Sequence, residues 1–92
     1  MGIKTKPFDV ASYLETPEDI REFLQEAADT GTEKEFIHAL NTAARAKGMT
    51  EVANAAGVTR ASLYKSLSED GNPNFTTVSK IVKALGCKLH VA

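Results

Sequence analysis

Ninety-two residues suffice for one compact domain with a thin core, and not for two. A mixture that is 42% hydrophobic and 25% charged excludes a disordered chain, and six glycines with three prolines exclude a fibrous one. The net charge of -1 lacks the strong basic excess that would by itself announce a nucleic-acid partner.

In chain order, Asp9 to Leu14 reads as one or two helical turns presenting Val10, Tyr13 and Leu14. The first clear helix follows: Thr16 is its N-cap, Pro17 takes the first helical position, and Asp19 completes a capping box. Ile20, Phe23, Leu24, Ala27 and Ala28 repeat with a period near 3.6 and form one apolar face. Thr32 with Glu35 opens a second helix running to about Ala46, with Phe36, Ile37, Leu40, Ala43 and Ala44 as its stripe. Gly48 interrupts, and Met49 to Ala56 is a third, short helix. After a turn at Gly57 and Val58, Thr59 caps a fourth helix whose Leu63 and Leu67 share one side. A polar loop of breakers, Ser68 to Pro73, leads to Asn74, the cap of a fifth helix. Its predicted stripe is Phe75, Val78, Ile81, Val82 and Leu85, closed by Gly86. Cys87, Leu89 and Val91 then alternate with Lys88 and His90, the period of a short half-buried β-strand.

The expected architecture is therefore all-α, five helices and a short C-terminal strand, in a single domain over 1–92. Residues 1–35 form an acidic helical extension, 36–86 the core and 87–92 the strand. The charge follows this division. Residues 9–35 hold nine acids against Arg21 and Lys34, a net -7, whereas 36–92 hold seven bases against Glu51, Glu69 and Asp70, a net +4. Such asymmetry fits either two partners of different charge or two solvated helix faces.

Met49 to Leu67 is the informative stretch. Ala53 is small, Gly57 stands four residues on where a left-handed turn is needed, and Leu63 follows after six more. This is the layout of a helix-turn-helix, whose second helix enters the DNA major groove by its N-terminal end. An ordinary α-hairpin within a small bundle shares the same spacing.

Three runs of residues sharpen the reading: Gly-Met-Thr-x-Val-Ala at 48–53, Gly-Val-Thr-Arg-x-x-Leu-Tyr-Lys-x-Leu at 57–67, and the run from Gly71 to Gly86. The chain from Met49 through Gly86 resembles the lambda-repressor-like helix-turn-helix superfamily. With the leader Phe8 to Leu14 and Pro17 to Ile20, it resembles the addiction-module antidote proteins, antitoxins of the host-inhibition-of-growth type. That resemblance, over roughly Phe8 to Val91, implies an antitoxin that neutralises a small RelE-like, RNA-cleaving toxin and represses its own operon. Carried over position by position, the superfamily pattern implies that Thr59, Arg60, Ala61, Tyr64 and Lys65 face DNA.

The chemistry of these residues agrees in part. Arg60 at the helix tip suits bidentate bonding to guanine O6 and N7. Thr50 and Thr59 suit phosphate oxygens, and Ala61 can meet only a thymine methyl. The outward acids Glu15, Glu18, Glu22 and Glu26, with Tyr13 as an aromatic anchor, are the expected toxin contacts. Cys87, Leu89 and Val91 are the expected dimer contacts, through strand pairing across a two-fold axis; Ile3 to Phe8 is the alternative partner strand.

No cofactor, metal or catalytic role is expected. Ser62 to Lys65 fits an S-x-x-K pattern without the companion motifs of that enzyme class. His38 and His90 stand far apart with no ligand-spaced neighbours. The single cysteine excludes an internal disulfide and points to a reducing, cytoplasmic compartment. No apolar run approaches the roughly 20 residues of a membrane span, and no signal-peptide pattern is expected. Two further readings stand beside the antitoxin: a free-standing phage-type repressor, and a protein-interaction module that does not bind DNA.

Overall fold

The computed structural model describes residues 9–88. A 3-10 turn over Val10–Tyr13 precedes five α-helices: α1 (Pro17–Thr30), α2 (Glu33–Lys47), α3 (Met49–Ala56), α4 (Arg60–Ser66) and α5 (Phe75–Ala84). Four helix starts are set by their own sequence. Thr16 and Thr32 each accept from the backbone N–H of the residue three ahead, and Asp19 and Glu35 reach back to accept from the cap's own N–H. Thr59 and Asn74 cap α4 and α5 by accepting from Ser62 and Thr77. Each such cap is worth about 1 kcal/mol.

The helices meet around one core. α1 packs along α2, α3 lies against both α2 and α5, and α4 rests on α3. Leu40, Val52, Leu63 and Ile81, one each from α2, α3, α4 and α5, are the largest fully buried side chains. Full burial of a side chain of this size stabilises by roughly 1.5–3 kcal/mol. Ile20 and Leu24 bring α1 into the same cluster, with Phe23 and Ala27 half-buried at its edge and Ala28 exposed.

The turn between α3 and α4 depends on Gly57, at φ 74° and ψ 29°. Its amide and that of Val58 fold back onto the Asn54 and Ala53 carbonyls at 3.2 and 3.0 Å. Ala53 beneath is buried, and so is Leu63 across the turn. The loop after α4 passes close to its end: a Cβ at Gly71 would overlap the Ser66 carbonyl oxygen and stand 2.6 Å from that of Lys65.

Two expectations are corrected. The C-terminal β-strand is absent at Cys87 and Lys88, and no strand occurs among the described residues. The cause lies in how α5 ends. Gly86 turns left-handed at φ 80°, and its amide donates to Lys83 O at 2.9 Å while that of Cys87 donates to Val82 O at 3.0 Å. This pair of bonds closes the helix and consumes the Cys87 donor that a strand ladder would need. Cys87 is half-buried against the core as part of that closure, and its amide is spent on α5 and not on a strand. Leu89 and Val91 lie outside the described residues, as does the alternative pairing segment Ile3 to Phe8. Phe75 is the second correction. It shares the heptad-like spacing of the α5 stripe, yet it is 75% exposed, because at the first helical position no neighbouring element covers it.

Candidate nucleic-acid interface

α4 is seven residues long and buries only Leu63 within that length, with Leu67 just beyond. Everything else on it faces outward or sideways: Arg60, Ala61, Ser62, Tyr64 and Lys65 are all exposed. The apolar pair anchors one side of the helix; Ala61, Ser62 and Lys65 lie away from it, while Arg60 and Tyr64 flank it, with Arg60 reaching across to α3. That composition matches a surface that meets a phosphate backbone and base edges.

Thr50 stands exposed at the second position of α3. The turn at Gly57 brings it to Arg60, ten positions away in sequence. Arg60 Nη1 donates to Thr50 Oγ1 at 3.0 Å, and Nη2 donates to the Tyr64 hydroxyl at 3.3 Å. The guanidinium carbon also lies 5.5 Å from the centroid of the Tyr64 ring, within the range of a cation–π contact. Of the six residues expected at DNA, three thus form one connected cluster: Thr50, Arg60 and Tyr64. Thr59 is committed as an acceptor from Ser62 N–H at 3.0 Å and retains its hydroxyl proton as a donor. Ala61 and Lys65 are exposed on the same short helix, outside the cluster's hydrogen bonds.

Sequence reasoning placed Tyr64 on the outward face but not as a partner of Arg60, although the i, i+4 spacing carries that signal. The Thr50–Arg60 contact had no such signal, because it is made across the turn. Ser62 is exposed between Ala61 and Leu63, with its amide donating to the Thr59 cap. Nearby, Lys47 and Glu51 approach to 3.9 Å, which partly offsets the acid nearest Thr50.

The acidic extension is arranged differently. Glu15, Glu18, Glu22 and Glu26 are all exposed along α1 and its approach, and Tyr13 is 64% exposed. Asp19, by contrast, is engaged in capping, with its carboxylate accepting from Glu15 and Thr16 amides at 3.0 and 3.1 Å. Asp9 pairs with Arg45 at 3.1 Å. Hydrogen bonding from Arg45, then from the Ala11 amide, holds its carboxyl below the ordinary carboxylate range. A groove of about 890 Å³ runs between the start of α2 and the loop after α4. Its lining includes Glu33, Glu35, Glu69 and Asp70 and none of the residues expected at DNA.

Among the described residues, no group of three or more histidines, cysteines and acids is placed to hold a metal ion. His38 is exposed on α2. No helix of the described residues is long and apolar enough to cross a membrane.

A family model described as "Probable addiction module antidote protein" matches residues 4–92. A protein of Haemophilus influenzae, described as uncharacterized, is 42% identical over 91 residues, covering 99% of this chain and 94% of the relative. No solved structure gives a significant match.

Proposed function

The chain belongs to the addiction module antidote family, and from that membership we propose that it is a DNA-binding antitoxin of a type II module, acting in the cytoplasm. It binds and neutralises a small RelE-like, RNA-cleaving toxin, and it represses its own operon through α3 and α4. The observation that carries the DNA half is the exposed cluster that Thr50 of α3 makes with Arg60 and Tyr64 of α4 across the turn, with Lys65 exposed on the same short helix. In this reading α3 and α4 are a helix-turn-helix pair of the lambda-repressor-like kind. Arg60 and Lys65 reach base edges, Ala61 meets a thymine methyl, and Thr50 and Thr59 donate to phosphates.

Nothing in this chemistry calls for catalysis or a cofactor. The protein works by occupying surfaces. A single α4 offers too few base contacts for a unique operator, so the binding species is a homodimer on half-sites about one helical turn, roughly 34 Å, apart. The toxin side rests on the family's antidote role and on the exposed acids of α1, which complement the basic surface an RNA-cleaving protein needs.

The test is a gel shift of the purified protein on the DNA upstream of its own gene, against unrelated DNA of equal length. Preferential binding that falls steeply with added salt supports the reading, because phosphate contacts release counterions. Equal affinity for both duplexes, or none at low salt, overturns operator recognition. Sedimentation showing a monomer with intact operator binding would remove the dimer.

A further inference from the structure

We propose that Thr50 and Tyr64 are positioning residues for Arg60, and that the Thr50 hydroxyl couples phosphate engagement to the reading of a guanine. The inference rests on the DNA-binding reading above and adds to it a division of labour within the cluster. Two terminal nitrogens of Arg60 are held at once, by Thr50 Oγ1 at 3.0 Å and by the Tyr64 hydroxyl at 3.3 Å, while the Tyr64 ring lies against the guanidinium at 5.5 Å. All three side chains are exposed, so this arrangement is not imposed by burial in the core. It is a surface device in which a flexible cation is fixed before any ligand arrives.

A donor inventory shows what remains for recognition. A guanidinium carries five N–H groups, and Thr50 and Tyr64 each accept from one of them. Three are left, enough for the bidentate bond to guanine O6 and N7. A hydroxyl that accepts from a cationic N–H becomes a better donor through its own proton. On the exposed tip of α3, the acceptor suited to that proton is a phosphate oxygen. A phosphate held by Thr50 therefore fixes the same oxygen on which Arg60 rests, and the phosphate and the base are read in register. Tyr64 adds a wall that keeps Arg60 from swinging along α4.

The test compares affinities of the full chain for its upstream operator duplex and for duplexes carrying 7-deazaguanine at one guanine at a time. The guanine whose substitution weakens wild type but leaves Arg60→Ala unchanged is the one Arg60 reads. At that guanine, Thr50→Val and Tyr64→Phe are each expected to reduce discrimination about threefold or more. In the Arg60→Ala background neither is expected to reduce it further. Thr50→Ser, which restores the hydroxyl, is expected to restore discrimination, a rescue that a loss of folding or packing would not produce.

Wild-type discrimination in Thr50→Val and Tyr64→Phe, with Arg60→Ala having lost it, overturns the positioning proposal and leaves guanine reading by Arg60 intact. Wild-type discrimination in Arg60→Ala overturns the assignment of Arg60 itself, and the proposal with it. Thermal melts of all four variants confirm folding, which is expected because none of the three positions lies in the core.

Discussion

Asn41 Nδ2 of α2 donates to the Leu67 carbonyl oxygen at 3.3 Å, which ties the C-terminal end of α4 to the centre of the domain. The same Asn41 accepts from Arg45 Nε at 3.1 Å through its Oδ1, and Arg45 in turn pairs with Asp9 at the start of the described chain. One polar relay thus runs from the leader through α2 to the helix that carries Arg60 and Tyr64. Its members are 26 to 36 residues apart in sequence at the two long-range steps.

Replacing Asn41 by Ala removes the side-chain partner of the Leu67 carbonyl at a half-buried site. The expected loss is about 1 kcal/mol, the net value of a typical internal hydrogen bond. Urea denaturation checks it, with a lower midpoint at unchanged slope as the expected outcome.

Asp9 gives a pH prediction. Its carboxyl is held low, chiefly by the hydrogen bond from Arg45, so the ion pair favours the folded state above the ordinary carboxylate range and is lost as pH falls through the lowered value. The pair is exposed, and its contribution is small. Asp9→Asn preserves an acceptor for the Ala11 amide and removes only the charge. Wild type and variant are expected to differ slightly near pH 7 and to converge in melting temperature as pH falls through the lowered Asp9 value.

Gly57→Ala is expected to destabilise by about 1–2 kcal/mol, the cost of placing a Cβ at a left-handed φ. Apart from Gly57 itself and its chain neighbours, no atom stands within 4 Å of where that Cβ would lie, so the cost comes from the local backbone and not from tertiary packing. Gly57→Asn is accordingly expected to be milder than Gly57→Ala, because Asn tolerates this region better. Thermal melting of the two variants side by side tests the order.

Charge reversal at Glu18, Glu22 and Glu26 addresses the toxin surface. All three are exposed on α1 and separate from the Thr50–Arg60–Tyr64 cluster in the chain. The triple Lys variant is expected to associate with the toxin more slowly, most visibly at low salt, and to retain operator affinity. Stopped-flow association across a salt series measures this; an unchanged rate excludes the acidic face as the docking site.

What could be read from sequence was local. Thr16, Thr32, Thr59 and Asn74 all cap as their spacing to the third residue indicated, because a cap involves one turn of chain. Leu63 and Leu67 point inward as their separation required. Periodicity misled where tertiary context decides. Phe75 keeps the stripe's phase but starts its helix beyond the reach of any neighbour. Cys87 keeps a strand's alternation, but its amide belongs to Val82 and the end of α5. The outward set on α4 was legible as exposed polar chemistry. Its internal order was not, since Thr50 meets Arg60 only because Gly57 turns the chain.

The brevity of α4 has a consequence for how its surface can be lost. Seven residues fall short of the roughly 12–15 at which an isolated helix becomes even marginal in water, so α4 is helical only while Leu63 and Leu67 are seated in the core. A synthetic peptide of this segment would be coil, and its residues would present no ordered face to any duplex. Recognition is then a cooperative property of the whole domain. The helical signal of α4 is therefore expected to vanish no later than the far-ultraviolet signal of the bulk helices, since no state keeps the reading helix once the core is lost.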